Sequence, residues 1–327
     1  MPDGRRSRLQ RISDRRAIRD PQPQRQDNLR LRKLVHGVST KPTPAFTTLD
    51  RAEHLRDQPD TLQALISGCC LVKVDREGRL AASIDGDYLH VAHTVQFSEH
   101  WHQASFLGLY QQQAWFAITS DEAGFEVPQW LDLRTAASRF DPFQAGIGAY
   151  ARALTLWQQR TRYCSACASE LVLTRAGHVA HCPSCNIDHF PRTDPAVIVV
   201  ISNGDSILLA RQASWPERRY SLIAGFVEPG ESLEDTVLRE AMEEVGLPLS
   251  DCQYIASQPW PFPASLMLGF SAYAPLHPPT LGSELEDALW ITAPALRAAL
   301  ANGTILPPPR VSISRHLLDG WLAKWPD

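Results

Sequence analysis

Glu240, Glu243 and Glu244 stand at i, i+3 and i+4, a spacing that on an α-helix projects three carboxylates from one face, about 5–6 Å apart. Left alone they repel, but the cost on an exposed helix is only a few tenths of a kcal/mol per pair, so a merely solvated acidic face also satisfies the spacing. Hard oxygen donors gathered this way suit Mg2+ or Mn2+, which keep several waters and leave positions open for phosphate oxygens. A second constellation is built from cysteine. Cys164-Ser-Ala-Cys167 and Cys182-Pro-Ser-Cys185 are two C-x-x-C pairs separated by fourteen residues, with Gly177 placed to turn a hairpin between them. That spacing predicts a four-cysteine zinc ribbon whose thiolates fill all four tetrahedral positions, which makes the metal structural. Two vicinal disulfides are the competing arrangement, disfavoured in a reducing compartment. His178, His181 and His189 lie nearby and are expected to be plain surface residues, and Cys69, Cys70 and Cys252 to be small buried hydrophobes.

The elements that must position these groups are local. Ser232 is placed to cap a helix over 233–245 whose third position is Asp235, a near variant of the capping box, and Gly246-Leu247-Pro248 stops it. Leu233, Val237, Ala241 and Val245 recur every fourth residue and predict a narrow face buried against a sheet. Ahead of it, AVIVVIS and SILLARQ flank Asn203-Gly204-Asp205, a strong hairpin signal. Residues 44–145 read as short strands, among them LISGCCLVKVD and WFAITSD, in an α+β domain without a catalytic spacing. A helix within 146–163 links that domain to the cysteine module, and a last helix is expected near 315–325. No internal repeat is evident.

A chain of 327 residues is long enough for two domains and a small insert. No apolar run approaches the roughly 20 residues that cross a bilayer, and the start lacks the charged-then-apolar pattern of a secretory signal. A cytoplasmic protein without a membrane partner is the expectation. Residues 1–40 carry Arg5, Arg6, Arg8, Arg11, Arg15, Arg16, Arg19, Arg25, Arg30, Arg32 and Lys33 against Asp3, Asp14, Asp20 and Asp27. Residues 1–28 are therefore expected to form a disordered basic arm, a solvated tail or a dock for RNA or another polyanion; the interspersed Asp residues disfavour a mitochondrial presequence.

The stretch 225–247 fits G-x5-E-x7-R-E-U-x-E-E-x-G-U at every fixed position, through Gly225, Glu231, Arg239, Glu240, Glu243, Glu244 and Gly246, with Ala241 and Leu247 at the apolar sites U. This resembles the Nudix box. The resemblance implies Glu240 and Glu244 as ligands of the catalytic cation, a backbone carbonyl at Ala224 completing one metal shell, and Arg239 bracing Glu231; Glu243 is ligand or general base. Ten residues on, Gln258, Pro259, Trp260, Pro261, Phe262, Pro263, Ala264 and Ser265 form a segment dense in proline and aromatics. Its prolines restrict the backbone and can present Trp260 and Phe262 as a wall for a flat ring, with Gln258 and Ser265 able to hydrogen-bond ribose or phosphate; a proline-rich connection packed on the core is the plainer alternative.

SQPWPFPxSLM after a Nudix box, with a four-cysteine ribbon before it, resembles the NADH pyrophosphatase family of Nudix hydrolases over about residues 160–320. That resemblance implies hydrolysis of NADH or NAD+ to nicotinamide mononucleotide and AMP, removal of NAD caps from RNA, and a homodimer. It maps the eight residues above to the substrate-binding loop and Glu284 to a further metal ligand, with Asp287 a weaker candidate. Phe190 stands where the family often has tyrosine, and Ser314 where a small alanine commonly lines the substrate. The fold implied is α+β: an N-terminal α+β domain over 29–158, a zinc ribbon over 159–191, and a Nudix α/β/α sandwich with a mixed sheet over 192–327. A Nudix enzyme preferring ADP-ribose or another dinucleotide is the alternative. A nucleic-acid-binding regulator with a nucleotide-sensing Nudix domain is a third, against which the intact glutamate set argues.

Overall fold

A computed structural model of the chain describes residues 49–93, 101–119 and 126–326; the expected basic arm over 1–28 lies outside them. The first region contains α1 (Pro59–Ile66), β1 (Cys70–Lys73), β2 (Leu80–Ala82), β3 (Val91–His93), β4 (Ser105–Tyr110), β5 (Gln113–Ile118), β6 (Gln129–Leu131), α2 (Leu133–Arg139) and α3 (Pro142–Arg160). Its sheet runs β3-β1-β5-β4, with β1 parallel to β5, and β2 pairs β6 beside it. Alternation along β1 feeds two cores. Cys70 and Val72 join Ile147, Ala151 and Leu154 of α3 on one face, while Cys69 and Leu71 join Phe106 and Phe116 on the other. The two adjacent cysteines are thus buried hydrophobes as expected, whereas Cys252 is only half-buried. The linking helix begins at Pro142, ahead of the expected 146, because the Asp141 side chain accepts the N–H groups of Phe143 and Gln144 and Pro142 occupies the first turn, where no N–H is needed.

The cysteine module is a three-stranded sheet of β7 (Val172–Thr174), β8 (Val179–His181) and β9 (Asp188–His189). Beyond it lie β10 (Asp194–Asn203), β11 (Ser206–Arg211), β12 (Ile223–Phe226), α4 (Leu233–Val245), β13 (Ser250–Trp260), β14 (Ser265–Tyr273), β15 (Asp287–Thr292), α5 (Ala293–Asn302) and α6 (Ile313–Leu322). The sheet order is β13-β14-β10-β11-β15 with β12 on β10; β10 and β14 are parallel and the other pairs antiparallel. Asn203 pairs Ser206, which leaves Gly204-Asp205 as the two-residue turn of the expected hairpin.

Side-chain alternation on β10 makes this sheet the middle of a sandwich. Val197, Val199 and Ile201 pack with Val237, Ala241 and Val245 of α4. Ile198 and Val200 pack on the other side with Leu296 of α5 and Ile313, Leu317 and Trp321 of α6. Burying a valine-sized side chain contributes about 1.5–3 kcal/mol, against a few tenths for each glutamate–glutamate repulsion, so the apolar stripe decides where α4 sits. The last helix spans Ile313–Leu322, displaced from the expected 315–325 because the Ser312 hydroxyl caps it by accepting the Arg315 N–H. Among the described residues no helix is long and apolar enough to cross a membrane.

Candidate active site and metal centre

Helix α4 runs over the residues its spacing predicts. The Ser232 hydroxyl accepts the Asp235 N–H at 3.1 Å, the Asp235 carboxylate accepts the Ser232 N–H at 3.3 Å, and Gly246 closes the helix at φ 65°. Its polar face meets β12. A Cβ built on Gly225 would lie 1.9 Å from the Glu240 carboxylate, so glycine here is the space that Glu240 occupies, next to Ala224. Arg239 forks onto Glu231, Nε to Oε1 at 2.6 Å and Nη2 to Oε2 at 3.0 Å, and donates to the Phe226 carbonyl at 2.9 Å. Its Nη1 reaches Glu240 at 2.9 Å and Glu243 at 3.0 Å. Arg239, helped by the Glu228 N–H and the Thr236 hydroxyl, holds Glu231 down at about 2.

Glu244 differs from its neighbours. It is 7% exposed, and among the described residues no cation pairs with it. Burial first, then the charges of Glu240, Glu284 and Glu243, push it up to about 7. Burial also raises Glu240, with Arg239 opposing. Glu284 arrives on the loop that docks against the end of α4, where the Thr280 N–H donates to the Val245 carbonyl and the Gly282 N–H to that of Glu244, both at 2.9 Å. Asp287 is engaged elsewhere: it accepts the Tyr220 hydroxyl, whose pKa rises to about 12, chiefly through burial.

The aromatic-proline segment is a hairpin. Gln258, Pro259 and Trp260 end β13, opposite Met267, Leu266 and Ser265 of β14, and residues 261–264 form its tip. Val197 pairs Gly225 on one side and Leu268 on the other, and Asp194 pairs Ser265. Two strand spacings, about 10 Å, therefore separate the Gly225 row from β14, and the tip lies at the same end of the sheet. Several side chains there have tasks other than those expected. Gln258 is buried; its Nε2 donates to the Val311 carbonyl at 2.7 Å and its Oε1 accepts the Ile313 N–H at 2.6 Å, so the amide clasps the start of α6. Ser314 is buried with its hydroxyl 2.8 Å from that of Ser221, and Ser265 is buried as well. Trp260 and Phe262 pack at 4.9 Å between ring centroids. Phe262 packs on the N-terminal core, with the guanidinium of Arg134 4.7 Å and that of Arg152 5.2 Å from its ring. Arg152 also donates to the Pro261 carbonyl and, at 2.9 Å, to that of Gly78. Nothing in the spacing of Arg134 or Arg152 announces this contact. Pro259, Pro263 and Phe190 are exposed, Phe190 by 63%, while Pro261 is buried and Ala264 half-buried.

The ribbon gathers its sulfurs through two matching turns. The Ala168 N–H donates to the Cys164 carbonyl at 2.8 Å and the Asn186 N–H to that of Cys182 at 2.9 Å, and Ala168 and Asn186, each just after the second cysteine of its pair, take φ 60° and 58°. Cys164 and Cys185 Sγ atoms lie 3.5 Å apart, Cys167 and Cys182 3.4 Å, Cys167 and Cys185 3.6 Å. These separations approach the edge of about 3.8 Å of a tetrahedron with Zn–S bonds of about 2.3 Å and exclude the roughly 2.05 Å of a disulfide. Among the described residues this is the set of His, Cys, Asp and Glu donors that converges, all within 4.8 Å. His181 pairs with Asp188 at 2.7 Å. His178 is not the surface residue expected: it is 8% exposed, its Nε2 lies 2.8 Å from the Phe106 carbonyl of β4, and burial lowers its pKa to about 4.

Three family models cover most of the described chain: an NADH pyrophosphatase-like rudimentary NUDIX domain over 64–157, the NADH pyrophosphatase zinc ribbon domain over 159–190 and the NUDIX domain over 192–308. A Mycobacterium bovis (strain BCG / Pasteur 1173P2) protein named NAD-capped RNA hydrolase NudC is 36% identical over 290 residues, covering 84% of this chain and 92% of its own length. One of the same name from Stutzerimonas stutzeri (strain A1501) is 40% identical over 197 residues, 60% of this chain and 68% of its own. A solved Nudix hydrolase from Nitrosomonas europaea aligns at 22% identity with a TM-score of 0.37, over 41% of this chain and 80% of its own. Matched over nearly the full length of a relative, and in ribbon as well as hydrolase domain, the chain belongs to the NADH pyrophosphatase family of Nudix hydrolases.

Proposed function

We propose that the chain cleaves the diphosphate bridge of NADH or NAD+ into nicotinamide mononucleotide and AMP, and also removes NAD caps from RNA. Glu244 carries this reading: a buried carboxylate without a cationic partner among the described residues, facing Glu240, Glu243 and Glu284 and pushed up to about 7, is a site short of positive charge. The relatives named for NAD-capped RNA hydrolysis support the choice of substrate.

The donors fit a hard cation, Mg2+ or Mn2+, which Glu240, Glu244, Glu284 and the Ala224 carbonyl would hold. Such a cation supplies neutralisation of the charge that develops on the diphosphate oxygens. The chain does the rest. Arg239 and Glu231 brace the loop after β12 so that Glu240 stays against Gly225. Glu243, the most exposed of the three helix glutamates at 61% of its side chain, serves in this reading as a further ligand or as the general base. The hairpin tip with Trp260, together with exposed Phe190, offers surface on which a flat ring can stack. A homodimer and a cytoplasmic setting belong to the same proposal, on the strength of the family membership. Zn2+ belongs in the ribbon, as a structural ion.

Incubation of the purified protein with Mg2+ and, separately, NADH, NAD+, ADP-ribose and NAD-capped RNA tests the proposal. Nicotinamide mononucleotide with AMP, or with 5′-monophosphate RNA, is the expected product set; faster turnover of ADP-ribose than of NADH would overturn it.

A further inference from the structure

The N-terminal domain contains a cavity of about 520 Å3 lined by Arg76, Gln103, Ile118, Thr119, Gln159 and Arg162. Among the described residues no carboxylate lines it. The acids nearest Arg76 in sequence are engaged with Arg79, Asp75 at 2.5 Å and Glu77 at 3.5 Å. Arg162 has one long pair, 3.9 Å from a Glu170 that is itself largely exposed. Among the described residues the buried Nε2 of Gln159 has no hydrogen-bond partner. A buried donor left unsatisfied is destabilising, so the cavity is stabilised by whatever brings an acceptor to it. Two guanidinium groups, two amides and a hydroxyl make up a lining rich in donors, suited to an anion with several oxygens.

The cavity also has an address. Gln159 follows Arg152 by seven residues on α3, which places both on one face of the helix, about 10 Å apart along its axis. Arg152 holds the Pro261 carbonyl at the hairpin tip and the Gly78 carbonyl in the turn that carries Arg76. Arg134 stands over Phe262 and Trp260. Arg152 lies in the positive field of Arg160 and Arg134, and these together with its burial disfavour its charge. Arg134 and Arg152 thus lead from the hairpin tip toward the cavity, offset in part by Asp132 and Asp75, on a chain whose net charge is −4.

We propose that this cavity binds the phosphodiester backbone of the RNA that follows an NAD cap, with Arg76 and Arg162 on phosphate oxygens and Gln159 donating beside them; the assignment rests on the cap-removing function proposed above. Sequence-independent contacts of this kind position a chain without reading its bases.

The test uses the full-length protein, the double variant Arg76→Gln/Arg162→Gln and its charge-keeping counterpart Arg76→Lys/Arg162→Lys. For the Gln variant, kcat/KM on NAD-capped RNA falls about tenfold, and the salt slope of 5′-monophosphate RNA binding, read by fluorescence anisotropy, shrinks by about 1.4, or 0.7 per lost phosphate contact. Its kcat/KM on free NADH stays within about twofold of wild type, since free NADH has no RNA backbone for these residues to hold. The Lys variant restores the slope. An unchanged slope overturns the proposal, as does an equal fall on NADH and on NAD-capped RNA, which marks a structural role. Should the wild-type protein hydrolyse neither substrate, the proposed function fails on its own, because the anisotropy series reads the cavity without turnover.

Discussion

The two metal-binding regions are built on opposite plans. In the ribbon, four thiols are brought within 4.8 Å by two equivalent backbone turns before any ion is considered. On α4 and the loop facing it, four carboxylates share a neighbourhood but are kept from collapsing together: Arg239 takes up Glu240 and Glu243, and Glu244 is left buried and repelled. The difference follows from the ions. Thiols can be neutral and share hydrogen bonds, so a soft tetrahedral site tolerates being preassembled. Carboxylates are charged near neutral pH, and a hard cation that must also bind substrate oxygens needs a shell with openings.

The contrast can be broken at either end. The largest effect is expected from the ribbon. Structural zinc contributes on the order of 10 kcal/mol to the folding of a segment this small, so Cys182→Ser should release about one zinc per chain and expose residues 164–190 to protease. Protection unchanged after zinc loss would show that the backbone turns suffice alone. Next comes Gly225→Ala. With a Cβ in the space of the Glu240 carboxylate, kcat should fall at least about 100-fold, roughly 3 kcal/mol of transition-state stabilisation, while thermal stability changes little. Near-normal kcat would mean that Glu240 works from another position.

A smaller effect concerns pH. The folded pKa of His178, about 4, lies below its ordinary 6.5, so between those values the unfolded chain binds a proton that the folded chain refuses. Stability should therefore fall as pH drops through that window, by up to about 1.4 kcal/mol per unit, and level off below it. His178→Gln, which keeps a donor for the Phe106 carbonyl, should flatten that stretch of a denaturation series; an identical slope in the variant would remove His178 from the explanation. The smallest effect sharpens the comparison most. Glu244 has a folded pKa above its ordinary value, so its ionisation costs stability that is lost as pH rises from about 4.5 to about 7. At pH 8 without divalent cation, Glu244→Gln should be more stable than wild type by about 1–2 kcal/mol, and saturating Mg2+ should reverse the order. A variant no more stable than wild type at pH 8 would show that Glu244 is not under strain.

Legibility along the chain tracks sequence distance. The capping box at Ser232 and Asp235, the stop at Gly246, the two-residue turn at Gly204-Asp205 and the spacing of the four cysteines were all readable, because each rests on hydrogen bonds or periodicities spanning a few residues. The side-chain partners of Gln258 and Ser314, which clasp and pack α6, lie 53 to 93 residues away and had no signal in the local spacing. His178 looked like a surface residue until β4, 72 residues earlier, supplied a carbonyl for it. The N-terminal region kept its affinity to the Nudix fold hidden because none of the box glutamates survives there as a motif.

What the amino-acid order determines by itself is the chemistry available: an acidic helix with its cap and stop, a four-thiol cluster, a proline-stiffened aromatic segment. Each is a short-range consequence of backbone geometry and side-chain type. Which of those side chains is free to act was decided only by tertiary packing. Burial raises Glu244, glycine makes room for Glu240, and Arg152 reaches across 109 residues of chain to hold Pro261. Desolvation and contact depend on neighbours that sequence separation conceals.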